Sequence, residues 1–407
     1  MSDIKFTDGG ICAPKGFKAN GVHCGIRKNR EKPDLALICS EKPCSAAGVY
    51  TQNLVCGAPV TLTKRNLENG VAQAVICNSG IANTCMADGM DKAQRMCDIA
   101  ASILNIDSSD VIVASTGVIG QPLPIEPIEN AAKTLFEGLS EDGSDRAANA
   151  IMTTDTVKKE FAVEFVLDSR ICRIGAISKG SGMINPNMAT MLCFSTSDVN
   201  ISSAMLKKAL TYAAGESFNM LSVDGDTSTN DTFTVMANGL AGNKLIESEN
   251  EDYLVFRDAL TALCIEVTKK MAADGEGATK LLICDIKGAA DDKTAKALAL
   301  SVINSALVKT AMFGADANWG RVLCALGYAG VSADVNKIDV SFCSAAGEIK
   351  VCENGAGIEF SEETAKRILL EKEITINVTM GDGQGKAQAF GCDLSYDYVR
   401  INGDYRT

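Results

Sequence analysis

Apolar positions along the chain follow two rhythms. Apolar runs at 35–39 and at 72–77, the second interrupted only by Gln73, predict buried strands. The run 111–114 predicts a third strand, ending at Ser115-Thr116-Gly117. Between them, Ala93, Met96, Cys97, Ala100, Ala101 and Leu104 recur at helical spacing and put one apolar stripe on a helix over 91–104. Further on, 204–221, 253–273 and 293–313 predict three more helices; Asp274-Gly275 stops the second and Gly314 the third. At 374–393, apolar residues alternate with period two on both sides of Gly381-Asp382-Gly383-Gln384-Gly385, which predicts a hairpin. Strands alternating with helices that cover them place the chain in the mixed α/β class, with several sheets. Neither a short-period repeat nor a low-complexity linker marks a domain boundary.

Composition changes this picture little but narrows the function. A chain of 407 residues accommodates two or three domains, or one large one, with a large core. The formal net charge is −12 and no basic stripe stands out, which argues against a nucleic-acid partner. The short cluster Arg27-Lys28-Asn29-Arg30 reads as a solvated loop. No run approaches the ~20 apolar residues that span a bilayer, and the first residues lack an apolar signal core. The sixteen cysteines contain no Cys-x-x-Cys pair; the closest two are Cys39 and Cys44. They are expected to be small core residues in a reducing cytoplasm.

His23 is the only histidine, so a zinc site or a histidine-based triad has nothing else to draw on. A structural or surface role is expected for it. There is no Gly-x-Ser-x-Gly elbow and no Gly-x-x-x-x-Gly-Lys-Ser/Thr loop. Asp224-Gly225-Asp226, followed by Thr227, Ser228, Thr229, Asn230 and Asp231, is rich enough in oxygen to suggest a cation loop. Counted from Asp224, however, the twelfth position is Val235 and not a glutamate, so a hydrogen-bonded turn is expected. Neither a metal nor a resident cofactor is expected.

The most informative segment is Ser178-Lys179-Gly180-Ser181-Gly182-Met183-Ile184-Asn185-Pro186-Asn187-Met188-Ala189-Thr190-Met191-Leu192. Gly180 and Gly182 admit unusual backbone angles, Asn185-Pro186 forces a turn, and the chain then enters an apolar strand at Thr190. A tight loop that delivers a hydroxyl at a strand's first residue suits a strained, cleavable bond. A threonine hydroxyl needs a base, and a free α-amino group with a pKa of roughly 7.7–8.0 can be that base. Only an N-terminal threonine carries both groups. Attack of the Thr190 hydroxyl on the Ala189 carbonyl would give an ester that water opens, freeing Thr190 as a new N-terminus. A glycine-rich loop before a strand is usually only a turn, and the residues alone favour that reading over cleavage while leaving both open.

Lys179-Gly180-Ser181-Gly182-Met183-Ile184 followed by Pro186-Asn187-Met188-Ala189-Thr190-Met191-Leu192 resembles the cleavage motif of the ornithine acetyltransferases, the bifunctional glutamate N-acetyltransferases of arginine biosynthesis. The likeness spans essentially the whole chain. It includes Gly16-Phe17-Lys18-Ala19, Asn78-Ser79-Gly80-Ile81-Ala82-Asn83, Ser115-Thr116-Gly117-Val118-Ile119-Gly120 and Ile151-Met152-Thr153-Thr154-Asp155-Thr156. It continues in Asp274-Gly275-Glu276-Gly277-Ala278-Thr279-Lys280, in Gly314-Ala315-Asp316-Ala317-Asn318-Trp319-Gly320-Arg321 and in the last ten residues from Tyr398. One departure is Gly403, where the family pattern has alanine.

The resemblance implies a layered architecture like that of N-terminal-nucleophile hydrolases, with sheets sandwiched by helices and family-specific connectivity. It implies an α chain of residues 1–189 and a β chain of 190–407 sharing one core and assembling as an α2β2 heterotetramer. The implied reaction is ping-pong acetyl transfer from N2-acetylornithine to glutamate through an acetyl ester on Thr190. Thr116 and Gly117 match the oxyanion-hole pair. Lys179 matches a carboxylate-binding lysine, and Thr153 another substrate contact, with Thr154 as its neighbour should the register slip. Glu276 suits the ornithine ammonium. Asn402 and Thr407 match substrate contacts in a tail that Tyr398, Val399, Ile401 and Tyr405 would dock. Acetyl-CoA as a further donor is left open. Two alternatives stand beside this reading: an aminopeptidase or amidase of related fold, in which water deacylates Thr190, and a binding protein that never cleaves.

Overall fold

The computed structural model describes residues 4–29, 31–185 and 191–404. Its strands are β1 (Lys5–Thr7), β2 (Phe17–Val22), β3 (Leu35–Tyr50), β4 (Val71–Ile81), β5 (Val111–Val118), β6 (Lys159–Leu167), β7 (Arg170–Lys179), β8 (Leu192–Ser197), β9 (Leu221–Ser222), β10 (Thr232–Ala237), β11 (Leu281–Ala289), β12 (Asp339–Ser344), β13 (Gly347–Glu353), β14 (Ala356–Gly357), β15 (Glu373–Thr379) and β16 (Gly385–Cys392). The helices are α1 (Ala58–Asn66), α2 (Gly89–Leu104), α3 (Glu126–Glu137), α4 (Ser144–Ile151), α5 (Ser203–Glu216), α6 (Glu251–Ala273), α7 (Asp292–Asn304), α8 (Ala306–Phe313), α9 (Trp319–Gly327), α10 (Glu362–Leu369) and α11 (Tyr396–Gly403). They form two units. The first holds 1–180, 187–218 and 227–267, and the second 181–186, 219–226 and 268–407.

In the first unit, the described residues form a nine-stranded mixed sheet in the order β1-β6-β7-β8-β10-β3-β4-β5, with β2 paired to β3. Residues 35–39 of β3, 74–77 of β4 and 111–114 of β5 are apolar at successive positions because both faces are covered. Leu35, Leu37, Ala74, Ile76, Val111 and Val113 enter a core with Met96 and Ala100 of α2. The alternate residues Ala36, Ile38, Val75, Cys77, Ile112 and Ala114 enter a second core with Ala147 and Ile151 of α4. Burying each large aliphatic side chain there contributes about 1.5–3 kcal/mol. This is the layered α/β architecture expected from the pattern. β3 outruns its predicted end at Cys39, because the register against β4 shifts between Cys39 and Cys44 and the strand goes on to pair with β10. The intervening Ser40-Glu41-Lys42-Pro43 is polar and carries a proline that fits only such an irregularity.

The second unit holds a seven-stranded sheet, β14-β13-β12-β15-β11-β16-β9. The predicted hairpin over 374–393 is not formed. β15 and β16 alternate as expected, but β11 lies between them, parallel to β15 and antiparallel to β16. The glycine-rich link instead straddles β11: the N–H groups of Asp382 and Gly383 both donate to the Gly288 carbonyl. Local alternation cannot distinguish a tight turn from a link that steps over a strand.

Two predicted helices also end early. The 293–313 segment is α7 and α8, bent by 57° at Ser305, whose hydroxyl accepts from the Val308 N–H and caps α8. The 204–221 segment stops at Glu216, where the chain gives way to a short 3₁₀ turn and then β9. No single described helix is long and apolar enough to cross a membrane. All sixteen cysteines are free thiols, and only Cys85 and Cys324 are exposed.

Candidate active site

The expected nucleophile Thr190, its neighbour Ala189 and the tail residue Thr407 lie outside the described residues. What surrounds their positions in sequence is well defined. Thr116, Gly117, Thr153 and Lys179 belong to the first unit; Glu276 and Asn402 belong to the second.

Thr116 and Gly117 sit inside β5, which runs on to Val118 instead of ending before them; they pair in parallel register with Ser79 and Gly80 of β4. Gly117 has φ +131°, and a Cβ placed there would stand 2.2 Å from the Gly80 carbonyl carbon. Glycine is required there, and the two backbones touch. Asn230 braces this strand end. Its amide Nδ2 donates to the carbonyls of Ala82 (2.7 Å) and Ser115 (2.9 Å), and its Oδ1 accepts from the hydroxyls of Thr84 (2.6 Å) and Thr229 (2.5 Å). Since the peptide unit is planar and trans, holding the Ser115 carbonyl also sets the direction of the Thr116 N–H.

Lys179 is the last residue of β7 and is almost fully buried, as are Asp155 and Lys159. Asp155 Oδ1 accepts from Lys159 Nζ (2.6 Å) and the Gly180 N–H (2.7 Å), and Oδ2 accepts from the Thr153 N–H (2.9 Å). Burial alone would raise the Asp155 pKa. The charges of Lys179 and Lys159 and these hydrogen bonds win, holding the carboxyl well below the usual range.

Met191 is the first described residue after the expected cut. Its N–H donates to Asp231 Oδ1 (2.8 Å), and its carbonyl accepts from the Thr232 N–H (3.1 Å). Asp231 is fully buried, and its Oδ2 has no partner among the described residues. Burial pushes this carboxyl well above the ordinary range, despite the Met191 N–H and the Lys179 charge. The other buried side-chain oxygens without a partner are Asn78 Oδ1, Asn83 Oδ1 and Ser115 Oγ, all at or beside the polar ends of β4 and β5. Orphaned buried polar groups are rare, and their gathering here marks this strand end as a place built for more than packing.

In the second unit, Glu276 and Asn402 meet: Asn402 Nδ2 donates to Glu276 Oε2 at 2.8 Å. The Glu276 N–H donates to the Ser181 carbonyl (2.8 Å), and a Cβ on Gly182 would stand 2.3 Å from the Glu276 carboxyl carbon. Gly182 is therefore small to admit Glu276; the left-handed angle expected near it falls instead on Met183, at φ +56°. Asp224 anchors the same loop by accepting from the N–H groups of Met183 (2.6 Å) and Ile184 (2.9 Å), as a hydrogen-bonded turn does. The Tyr398 hydroxyl lies 3.3 Å from Asp224 Oδ2, so Tyr398 docks α11, whereas Val399 points to solvent at 71% exposure and does not. Lys280, at the end of the Asp274–Lys280 motif, has a structural role, because its Nζ donates to the carbonyls of Met312 and Leu369 in the last turns of α8 and α10.

His23 stands apart from this chemistry. Its Nδ1 lies 3.1 Å from the Lys32 carbonyl and 3.4 Å from the carboxylate of buried Asp34, which also accepts backbone N–H groups of Cys24, Gly25 and Arg27. No group of three or more His, Cys, Asp and Glu among the described residues could hold a metal. Asp155, Asn230 and Asp231 had no role assigned from the sequence. Asp155 stands inside a motif quoted for its threonines, and the other two stand in the segment read as a turn.

Backbone donors at a glycine-tight strand end and a buried lysine in the same unit are groups that acyl transfer can use. Sequence comparison gives the particular family. The ArgJ family profile matches residues 18–407. The arginine biosynthesis bifunctional protein ArgJ 1 of Clostridium acetobutylicum is 50% identical over 392 residues, covering 96% of this chain and 96% of that protein. The crystal structure of arginine biosynthesis bifunctional protein ArgJ from Bacillus halodurans is 44% identical, covers 51% of this chain and 96% of the solved one, and has a TM-score of 0.49. Ornithine acetyltransferase from Mycobacterium tuberculosis, solved in complex with ornithine, is 35% identical over 45% of this chain and 98% of its own, with a TM-score of 0.42. The chain belongs to the ArgJ family.

Proposed function

We propose that this protein is a self-processing glutamate N-acetyltransferase of arginine biosynthesis that moves acetyl from N2-acetylornithine to glutamate. The observation that carries this reading is the match to ArgJ proteins along nearly the whole chain. In the proposed cycle, cleavage after Ala189 frees Thr190. Its hydroxyl attacks the acetyl carbonyl and its proton passes to the Thr190 α-amino group. Thr116 and Gly117 take the charge of the tetrahedral oxyanion. The C–N bond breaks, ornithine departs with the proton, and an acetyl ester remains on Thr190. The glutamate amine attacks that ester through a second oxyanion, and N-acetylglutamate leaves. Losing one oxyanion donor typically costs about 3–4 kcal/mol of barrier. Lys179 receives the substrate carboxylate, Thr153 lies beside it, and Glu276 faces the ornithine ammonium, with Asn402 and Thr407 completing the contacts.

The backbone of Met191, the residue after the proposed nucleophile, is fixed by Asp231 and Thr232, which supports cleavage at this point of the chain. No resident cofactor enters the cycle. The two fragments are proposed to stay together, as α2β2, in the cytoplasm.

Purified protein tests the reading. A denaturing gel should show two bands, and the second should begin Thr-Met-Leu-Cys. Thr190→Ala should run as one chain near 42.8 kDa. Acetyl transfer should require glutamate as acceptor; turnover of acetylornithine by water at the same rate would favour the amidase alternative. Glutamate with acetyl-CoA and no acetylornithine decides whether a second donor is used.

A further inference from the structure

Three residues of the first unit converge on a single carboxylate. Asp155 accepts from Lys159 on one side and from the backbone N–H groups of Gly180 and Thr153 on the two others. Its planar carboxylate has a fixed span, so the Thr153 loop and the end of β7 that carries Lys179 cannot shift independently. Asp155 is 4% exposed and Lys179 3%, so water does not loosen the link. An acid needed only to neutralise Lys159, which is fully buried, would not have to take two backbone N–H groups from separate segments as well.

We propose that Asp155 is a positioning residue that sets Lys179 and Thr153 in the geometry in which they hold the substrate carboxylate. The inference rests on Lys179 and Thr153 being substrate contacts. An asparagine at 155 keeps the size but offers one acceptor where two are used, and turns an N–H donor toward the Gly180 or Thr153 N–H. It also withdraws the negative charge beside Lys179.

Two variants separate positioning from charge balance. Asp155→Asn leaves Lys159 without its ion pair, whereas Asp155→Asn with Lys159→Met removes both charges. The double variant should melt closer to wild type than the single one. It should nevertheless show a KM about tenfold or more above wild type for both acetylornithine and glutamate, with kcat falling by less, since a small misplacement of binding groups costs on this scale. Cleavage of both variants is checked on a denaturing gel; a folded double variant that stays uncut assigns Asp155 to the cleavage loop instead and overturns the proposal. A wild-type KM in either variant overturns it and leaves Asp155 as the counter-ion of Lys159. The wild-type protein is assayed first: if it fails to transfer acetyl at all, the functional reading is lost, a result distinct from a wild-type KM in the variants.

Discussion

Asp155 and Asp231 lie in different parts of the first unit, one in the loop after α4 and one just before β10. Both are out of solvent and both feel the charge of Lys179. Yet Asp155 is held as a carboxylate, while Asp231 is pushed toward the protonated acid. The difference lies in a hydrogen-bonded cation: Asp155 has the Lys159 ammonium at 2.6 Å, whereas Asp231 is offered only the Met191 N–H and the weaker pull of the Ser228 and Thr51 hydroxyls. Three reach Asp155, one of them a buried ammonium. Asp231 takes the Met191 N–H on one oxygen and leaves the other bare. Burial makes a charge expensive in both places, and a buried ammonium in direct contact decides whether the charge persists.

The largest expected effect breaks the better-satisfied site. Asp155→Ala removes the ion pair of a fully buried lysine and should cost about 3–5 kcal/mol, read as a clear fall in Tm. Asp231→Asn keeps the shape and an acceptor for the Met191 N–H at a carboxyl that burial pushes toward its protonated form, and should cost under about 1 kcal/mol. Equal losses at the two positions would end the contrast.

The second effect is a difference in pH dependence. The Asp155 pKa is lowered by folding, so its contribution is fully present above the unfolded value of roughly 3.9 and is lost as pH falls through the folded value. Asp231 is raised, so the folded protein holds a proton that the unfolded chain has released. Stability is therefore lost as pH rises from roughly 3.9 up to the folded pKa, by about 1.4 kcal/mol per pH unit, and the loss then levels off. Denaturant titrations across pH 4–7 should show Asp231→Asn gaining on wild type as pH rises. Parallel curves would mean that Asp231 is ionised in the folded protein.

A smaller effect sharpens the comparison with a third carboxylate. Glu276 is buried at 9% exposure and receives the Asn402 amide at the rim of the second unit. Asn402→Ala should cost no more than about 1 kcal/mol of stability, while raising KM for acetylornithine. Deleting 402–407 should likewise leave self-cleavage intact and impair transfer. Unchanged kinetics in both variants would remove the tail from the site.

Several features of the molecule are open to reading in one dimension. The apolar runs of β3, β4 and β5 announce strands covered on both faces, because each residue's neighbours two places away face the same core. The stripe of α2 announces its buried side for the same reason at helical spacing. Lys179, Thr116 and Glu276 stand out by motif. The break at Ser305 is hidden because an apolar stripe continues through it, and the Asp155 cluster because an acid four residues before a lysine also occurs on any exposed surface.

Periodicity and residue chemistry are thus enough to say which segments are strands and helices, which faces are buried, and that a single histidine leaves little for a histidine-based mechanism. Pairing across long stretches of chain decided the rest. β11 entered between β15 and β16 although it ends at Ala289 and they begin only at Glu373 and Gly385. Gly180 and Lys159 came to Asp155, while nothing among the described residues came to the second oxygen of Asp231. Protonation follows the charges that reach a buried carboxyl in a medium that does not screen them, and that arrangement exists only once the chain has folded.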